Sequence, residues 1–278
     1  MKTNYIDFYK GKFKDLKPYI GKNGLIFKFF LLLSISQREI KLLNNIINKN
    51  SFILDIGCGG GHEILKYKGR YVIGVDIDLE SLKVAKSNYD AVIRADVRHL
   101  PFKDDCFDYI VATHLFEHLY NNDKPKFLKE VKRLLKMRAT FVCVFPCDES
   151  SVLNRLAKRF PDLYKKYFIL LDGHFGFESA PIAVKRFKTI FGSKNVSYSV
   201  LTYGSFRACQ EYLKRFDNEY ITKSLIIRVI VLICKIFNIN LFLRSIFNII
   251  MGPLELSFRK FKGYNLEEAH LIACICKK

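Results

Sequence analysis

The stretch SFILDIGCGGGHEILKYKGRYVIGVD, residues 51–76, constrains this chain more than any other. A short apolar run bends through glycines, continues at helical spacing, and closes as a second apolar run ending on an acid. That order reads as strand, loop, helix, strand. Glycine is required in such a loop because a residue without a Cβ can turn sharply and let a ligand lie against bare backbone. The loop is therefore a candidate small-molecule cradle.

Spacing selects among cradles. A dinucleotide fingerprint, GxGxxG, fails at His62, which stands where the third glycine belongs. A phosphate loop would end in Gly-Lys-Ser/Thr, and no such ending follows. What remains is DxGxGxG, formed by Asp55, Gly57, Gly59 and Gly61, with Asp76 closing the second run.

Further along, Phe52–Ile56, Tyr71–Val75, Ala91–Arg94, Phe107–Ala112 and Thr140–Phe145 are apolar runs separated by helix-like segments. Strands alternating with helices at this pitch form a parallel sheet with right-handed crossovers. Ligands then bind at the carboxyl ends of the strands, where the acids of this chain fall. Asp78 is a candidate N-cap for the helix that follows it. Val196–Thr202 and His270–Cys276 are read as the sixth and seventh strands.

The glycine pattern with Asp76 resembles the first two motifs of class I S-adenosylmethionine-dependent methyltransferases. The segment LPFKDDCFDYIV followed by EHL resembles their type 11-like, small-molecule branch, which includes quinone, sterol and sugar-lipid methyltransferases. The usual Pro-Gly-Gly before the fifth strand is replaced here by Met137, Arg138 and Ala139. The resemblance implies an α/β fold: a Rossmann-like, doubly wound, seven-stranded sheet, mostly parallel with the last strand antiparallel.

It also implies site roles, with S-adenosylmethionine as cofactor. Asp55 would take the methionine amino group, directly or through water, with the backbone of Gly57 and Gly59 beside it. Gly61 would allow close helix approach, and Asp76 would accept both ribose hydroxyls. Ile77 would flank the adenine, Asp96 and the Val97 backbone would hold its amino edge, and His114 would lie near the transferred methyl. Should the acceptor have to lose a proton, His114, Glu117, His118 and His174 are the candidate bases. On a helix, His114 and His118 would share a face one turn apart. Cys147 follows the fifth strand without the companion motifs of a cytosine-C5 enzyme and reads as a bystander thiol.

Four segments follow from this reading: an N-terminal helical cap at 1–50, the methyltransferase core at 51–203, an apolar helical insertion at 204–262, and the final core strand at 263–278. The cap contains Gln37–Asn48, with Ile40, Leu43, Ile46 and Ile47 at helical spacing. Ser151–Phe168 reads as a basic, aromatic-rich helix broken at Pro161. In the insertion, Leu225–Phe237 and Leu241–Met251 are almost wholly apolar, with Ser224, Arg228, Lys235 and Asn238 on one stripe. Each charge would cost about 2.5–3.5 kcal/mol at a bilayer centre, so an interfacial hairpin, or helices packed on the sheet, fits better than a spanning one.

Gly24–Ser36 is too short to span a bilayer, which takes roughly 20 apolar residues, and it carries no signal-peptide cleavage pattern. The expectation is a cytoplasmic protein with membrane-surface contact through 225–251. Eight cysteines without a CxxC pair read as small buried hydrophobes in a reducing compartment, and the six histidines are not spaced with them as metal ligands, so no metal is expected. The net charge of +19 admits an anionic partner or a merely lysine-rich surface.

The function expected is methyl transfer to oxygen or carbon of a small-molecule or lipid-like acceptor. The alternatives are an RNA methyltransferase using the basic surface and a non-catalytic partner subunit of the same fold.

Overall fold

A computed structural model of the chain describes residues 36–204, 225–237 and 265–278, with isolated positions between the last two stretches. The apolar segment before Ser36 and the helix expected at Leu241–Met251 lie outside the described residues.

The seven strands are β1 (Ser51–Ile56), β2 (Gly69–Asp76), β3 (Ala91–Arg94), β4 (Phe107–Thr113), β5 (Leu135–Pro146), β6 (Val196–Tyr203) and β7 (Ala269–Lys277). They form one sheet in the order β3-β2-β1-β4-β5-β7-β6. The first five pair in parallel. β7 runs antiparallel between β5 and β6. The order reverses between β1 and β4, and such a switch point opens a crevice at the carboxyl ends of the two strands.

Continuous apolar runs make strands buried on both faces. On one face, Leu54, Ile56, Ile110 and Phe141 pack with Phe127, Val131 and Phe187 from helices α4 (Lys124–Leu134) and α7 (Ala180–Phe191). On the other, Ile53, Val72 and Val111 pack with Leu82 and with Leu43 and Ile47 of the N-terminal segment. Leu43 belongs to α1 (Ser36–Ile46), the described part of the expected cap. Helices α2 (Glu63–Lys68) and α3 (Leu79–Ala85) complete the first half. Asp78 caps α3 as expected, accepting from the Ser81 amide at 2.8 Å.

Two expectations are corrected by local backbone. β5 begins at Leu135 rather than Thr140, because Leu135 already pairs with Phe107 and the register then slips. Arg138 sits in that irregularity at φ 64°, a left-handed conformation in which glycine would be free of strain. Phe116–His118 forms a three-residue 3-10 turn and His114 has φ 52°, so His114 and His118 do not share a helical face.

The aromatic segment does break near Pro161. It gives α5 (Val152–Lys158) and α6 (Pro161–Tyr164), the latter widening into a π turn over Lys165–Leu170. Helix α8 (Leu225–Phe237) packs on this pair rather than on the sheet: Val231 and Cys234 join Leu163, Tyr164, Tyr167 and Phe168. No helix among the described residues is long and apolar enough to cross a membrane.

Candidate functional site

The glycine loop follows β1 at the switch point, and its backbone explains its composition. Gly57, Gly59 and Gly61 have φ of 69°, 50° and 90°. At Gly57 a Cβ would also stand 2.9 Å from Leu115, whereas at Gly59 nothing lies within 4 Å of that position. The loop therefore presents open space beside Gly59 and is closed at Gly57 by the segment after β4.

Asp76, at the end of β2, fixes the loop. Its Oδ2 accepts from the Gly59 amide at 2.8 Å and its Oδ1 from the Asp78 amide at 2.9 Å. Burial pushes its pKa up, and the backbone donors oppose that push. With the Ile77 amide also lowering its pKa, the carboxylate has three backbone donors around it, and its four lone pairs leave room for a further one.

Asp55 is fully buried. Tyr89 donates to its Oδ2 at 2.6 Å and in turn accepts from the His62 amide at 2.5 Å, so a sealed carboxylate bolts down the far end of the loop. Asp55 Oδ1 has no hydrogen-bond partner, and burial raises the pKa of the group. Tyr89→Phe should leave Oδ2 unsatisfied as well and lower stability by about 1–3 kcal/mol. Chemical denaturation measures this, and an unchanged midpoint would mean that the loop is held by other groups.

Asp96, two residues past β3, is clasped by its neighbour. Arg98 Nε lies 2.9 Å from Asp96 Oδ1, and the guanidinium also reaches Asp123. Burial of Asp96 works against this, but the Arg98 hydrogen bonds and charge prevail and lower its pKa. Val97 is buried, and Ile77 is half-buried directly after Asp76.

Beyond β4 the structure gathers the candidate bases around one carboxylate. Glu117 is 2% exposed, and its Oε1 lies 3.7 Å from both His114 Nδ1 and His118 Nε2. His114 Nε2 meets Glu39 Oε1 of α1 at 2.9 Å, so the N-terminal segment closes over this end of the site. The His114 side chain is half-exposed, and its hydrogen bond to Glu39 together with the Glu39 and Glu117 charges raises its pKa to about 10. Its role as an acceptor of protons is correspondingly weak. Glu117 falls to about 2, the neighbouring histidines outweighing its burial.

His174 arrives from a distant loop that Gly176 makes possible. The Gly176 amide donates to the Glu117 carbonyl at 2.9 Å, and a Cβ there would lie 1.8 Å from the Leu119 carbonyl oxygen. Lys124, fully buried, donates to the Gly176 carbonyl and pairs with Glu178 at 2.9 Å. The His174 and His118 rings are 5.2 Å apart.

Sequence reasoning singled out none of Glu39, Tyr89, Lys124 or Glu178. A buried lysine has no sequence signal, and Lys124 reads as one of many basic residues. Cys147 is buried, and its thiol pKa is pushed up by that burial, which makes it an inert thiol.

A family model described as a methyltransferase domain matches residues 54–143. An uncharacterised protein of Methanocaldococcus jannaschii is 33% identical over 161 residues, covering 57% of this chain and 68% of that protein. An O-methyltransferase of Penicillium expansum is 32% identical over 124 residues, covering 39% of this chain and 44% of that protein. Among solved structures, a SAM-dependent methyltransferase from Archaeoglobus fulgidus superposes with a TM-score of 0.53 at 20% identity, covering 92% of this chain and 100% of that one.

Proposed function

Because this chain belongs to the class I S-adenosylmethionine-dependent methyltransferases, we propose that its acceptor is a small-molecule or lipid-like compound methylated at oxygen or carbon. The residues at the switch point fit the donor. The space beside Gly59 suits a ligand lying on backbone, Asp76 is held ready for two hydroxyls, and the orphaned Asp55 Oδ1 suits one donor from an ammonium or a bridging water. Bound there, S-adenosylmethionine supplies a methyl group on a sulfonium, which keeps the C–S electron pair as the methyl leaves.

In this reading Asp76 takes the ribose diol, and Ile77 lies against the adenine. Asp96 keeps Arg98 in place, and the adenine edge is met beside it at the Val97 backbone. Gly57, Gly59 and Gly61 pass the methionine portion along the loop. The chain mainly has to align the donor with the acceptor and exclude water, and alignment of that kind can supply roughly 7–11 kcal/mol. His114 and Glu39 close the N-terminal side. Glu117, His118 and His174 face the acceptor and handle any proton that it sheds.

One observation favours a greasy acceptor. Leu225, Val229, Leu232 and Ile236 of α8 form an exposed apolar stripe on the face opposite Val231 and Cys234. Beneath α8, Tyr164 donates to Asp148 at 2.6 Å, two residues beyond β5, which ties the aromatic layer to the same end of the sheet as the glycine loop.

The test is incubation with methyl-labelled S-adenosylmethionine and either a lipid extract or RNA. Label should enter the lipid fraction. Changing Leu232 and Ile236 together to serine should weaken anionic-vesicle binding by on the order of 10²–10⁴-fold, each side chain forfeiting about 1.5–3 kcal/mol of burial. Donor affinity should not change. Label entering RNA, with binding that falls steeply with salt, would replace this reading by one built on the basic surface.

A further inference from the structure

We propose that Glu117, His118 and His174 form a binding site for a divalent transition-metal ion on the acceptor side of the cleft. Each offers one ligand atom, and the three atoms lie within 4.8 Å of one another. Sequence spacing gives no hint of the set, because His174 lies far from the other two along the chain.

Two independent observations point to a missing ligand. Glu117 and His174 are 2% and 6% exposed, yet Glu117 Oε2 and His174 Nδ1 have no hydrogen-bond partner. Leaving a buried polar atom unsatisfied is costly, and a single cation would satisfy both. The second observation is the orientation of His118. Its Nδ1 lies 3.0 Å from the Gly173 carbonyl, which can only accept, so Nδ1 is the donor and Nε2 is the nitrogen turned towards Glu117, 3.7 Å from its Oε1. A backbone carbonyl holding one imidazole nitrogen while the other binds is the usual support of a metal-ligating histidine.

The chemistry of the set selects the ion. Two imidazoles beside one carboxylate suit zinc, iron or cobalt, with manganese the weakest of the series, whereas magnesium and calcium favour all-oxygen shells. Bonds of roughly 2.0–2.2 Å would draw the ligand atoms about an ångström closer than their widest separation.

The surrounding charges are compatible with an added cation. Lys124 is committed to Glu178, which Arg186 also reaches at 2.8 Å, and His114 is shared between Glu117 and Glu39. Burial, with the His114 charge beside it, drives the pKa of His270 of β7 down to about 4, so it adds no positive charge near neutrality. Two imidazoles and one carboxylate leave coordination positions open. Those positions fit a hydroxyl oxygen of the acceptor, a consequence that rests on the methyltransferase reading.

The experiment uses the full chain, stripped with a chelator and then titrated with cobalt(II), zinc or manganese, by calorimetry and by the visible spectrum of cobalt. One equivalent should bind, and magnesium should not compete. Glu117→Gln and His174→Ala should each weaken binding by more than the 10- to 100-fold typical of losing an outer-shell partner. Donor affinity, measured alongside, should stay within about threefold in both variants, which shows that they are folded. The absence of stoichiometric binding by any of the three ions, or binding that survives both substitutions, overturns the site. Failure of the unaltered chain to bind S-adenosylmethionine would instead strike the functional reading and leave the metal result standing.

Discussion

Asp76→Ala is expected to lower affinity for S-adenosylmethionine by about 10²–10⁴-fold. Two hydroxyls would lose a charged acceptor, at about 1.5–3 kcal/mol each. The substitution also frees the Gly59 and Asp78 amides that the carboxylate now holds. The loop therefore loses its shape together with its ligand contact. Asp76→Asn separates the two effects, since the amide oxygen can still accept from one backbone donor while the charge is gone; its affinity should fall between those of the other two proteins. Calorimetry with matched melting curves decides the matter. An alanine variant that binds within threefold of the unaltered protein would remove Asp76 from the donor site.

Lys124→Ala should be the most destabilising single change in the acceptor half. Lys124 is buried against Glu178, and its ammonium lies 4.3 Å from the centre of the Phe116 ring. Burial lowers its pKa, and the Glu178 charge resists that shift. Removing one partner of such a pair costs about 3–5 kcal/mol, because the remaining charge is stranded. Arg186 still reaches Glu178, which points to the lower end of that range. The Gly176 carbonyl would also be released, so the loop bearing His174 should drift from Glu117. Urea titration measures the first effect, and the cobalt spectrum reads the second. A loss under 1 kcal/mol would show that Arg186 alone satisfies Glu178.

The donor half was largely legible in the sequence because local rules decide it. Three glycines in DxGxGxG demanded left-handed backbone and received it at all three positions. The apolar runs could only be buried strands, and their limits moved by a residue or two, except at β5. There Arg138 occupies a left-handed conformation that arginine does not announce, and the strand passes through it.

The acceptor half was less legible because long-range contacts decide it. His114 and His118 look like a helical pair by spacing, but the left-handed turn at His114 separates them and a shared carboxylate reunites them. Nothing local says that the loop at Gly173–Gly176 returns to the turn after β4, or that a lysine among many is the one buried. The apolar character of α8 was plain, whereas its choice of the aromatic pair over the sheet depends on a cluster assembled from two distant segments.

The position of β7 has a consequence for folding during synthesis. Among the described strands, β6 pairs with β7 alone, and one side of β5 is completed only by β7. Residues 204–268 must therefore be made after β6 before either strand gains that neighbour. At about 5–20 residues per second this takes roughly 3–13 s. Through that interval a nascent chain can hold β3, β2, β1 and β4 assembled, glycine loop included, while β5 presents a bare apolar edge. Such an edge is a template for wrong pairing. A ribosome-stalled chain ending at residue 268 should thus bind the methyl donor before its sheet is complete, and should be the species most in need of a chaperone.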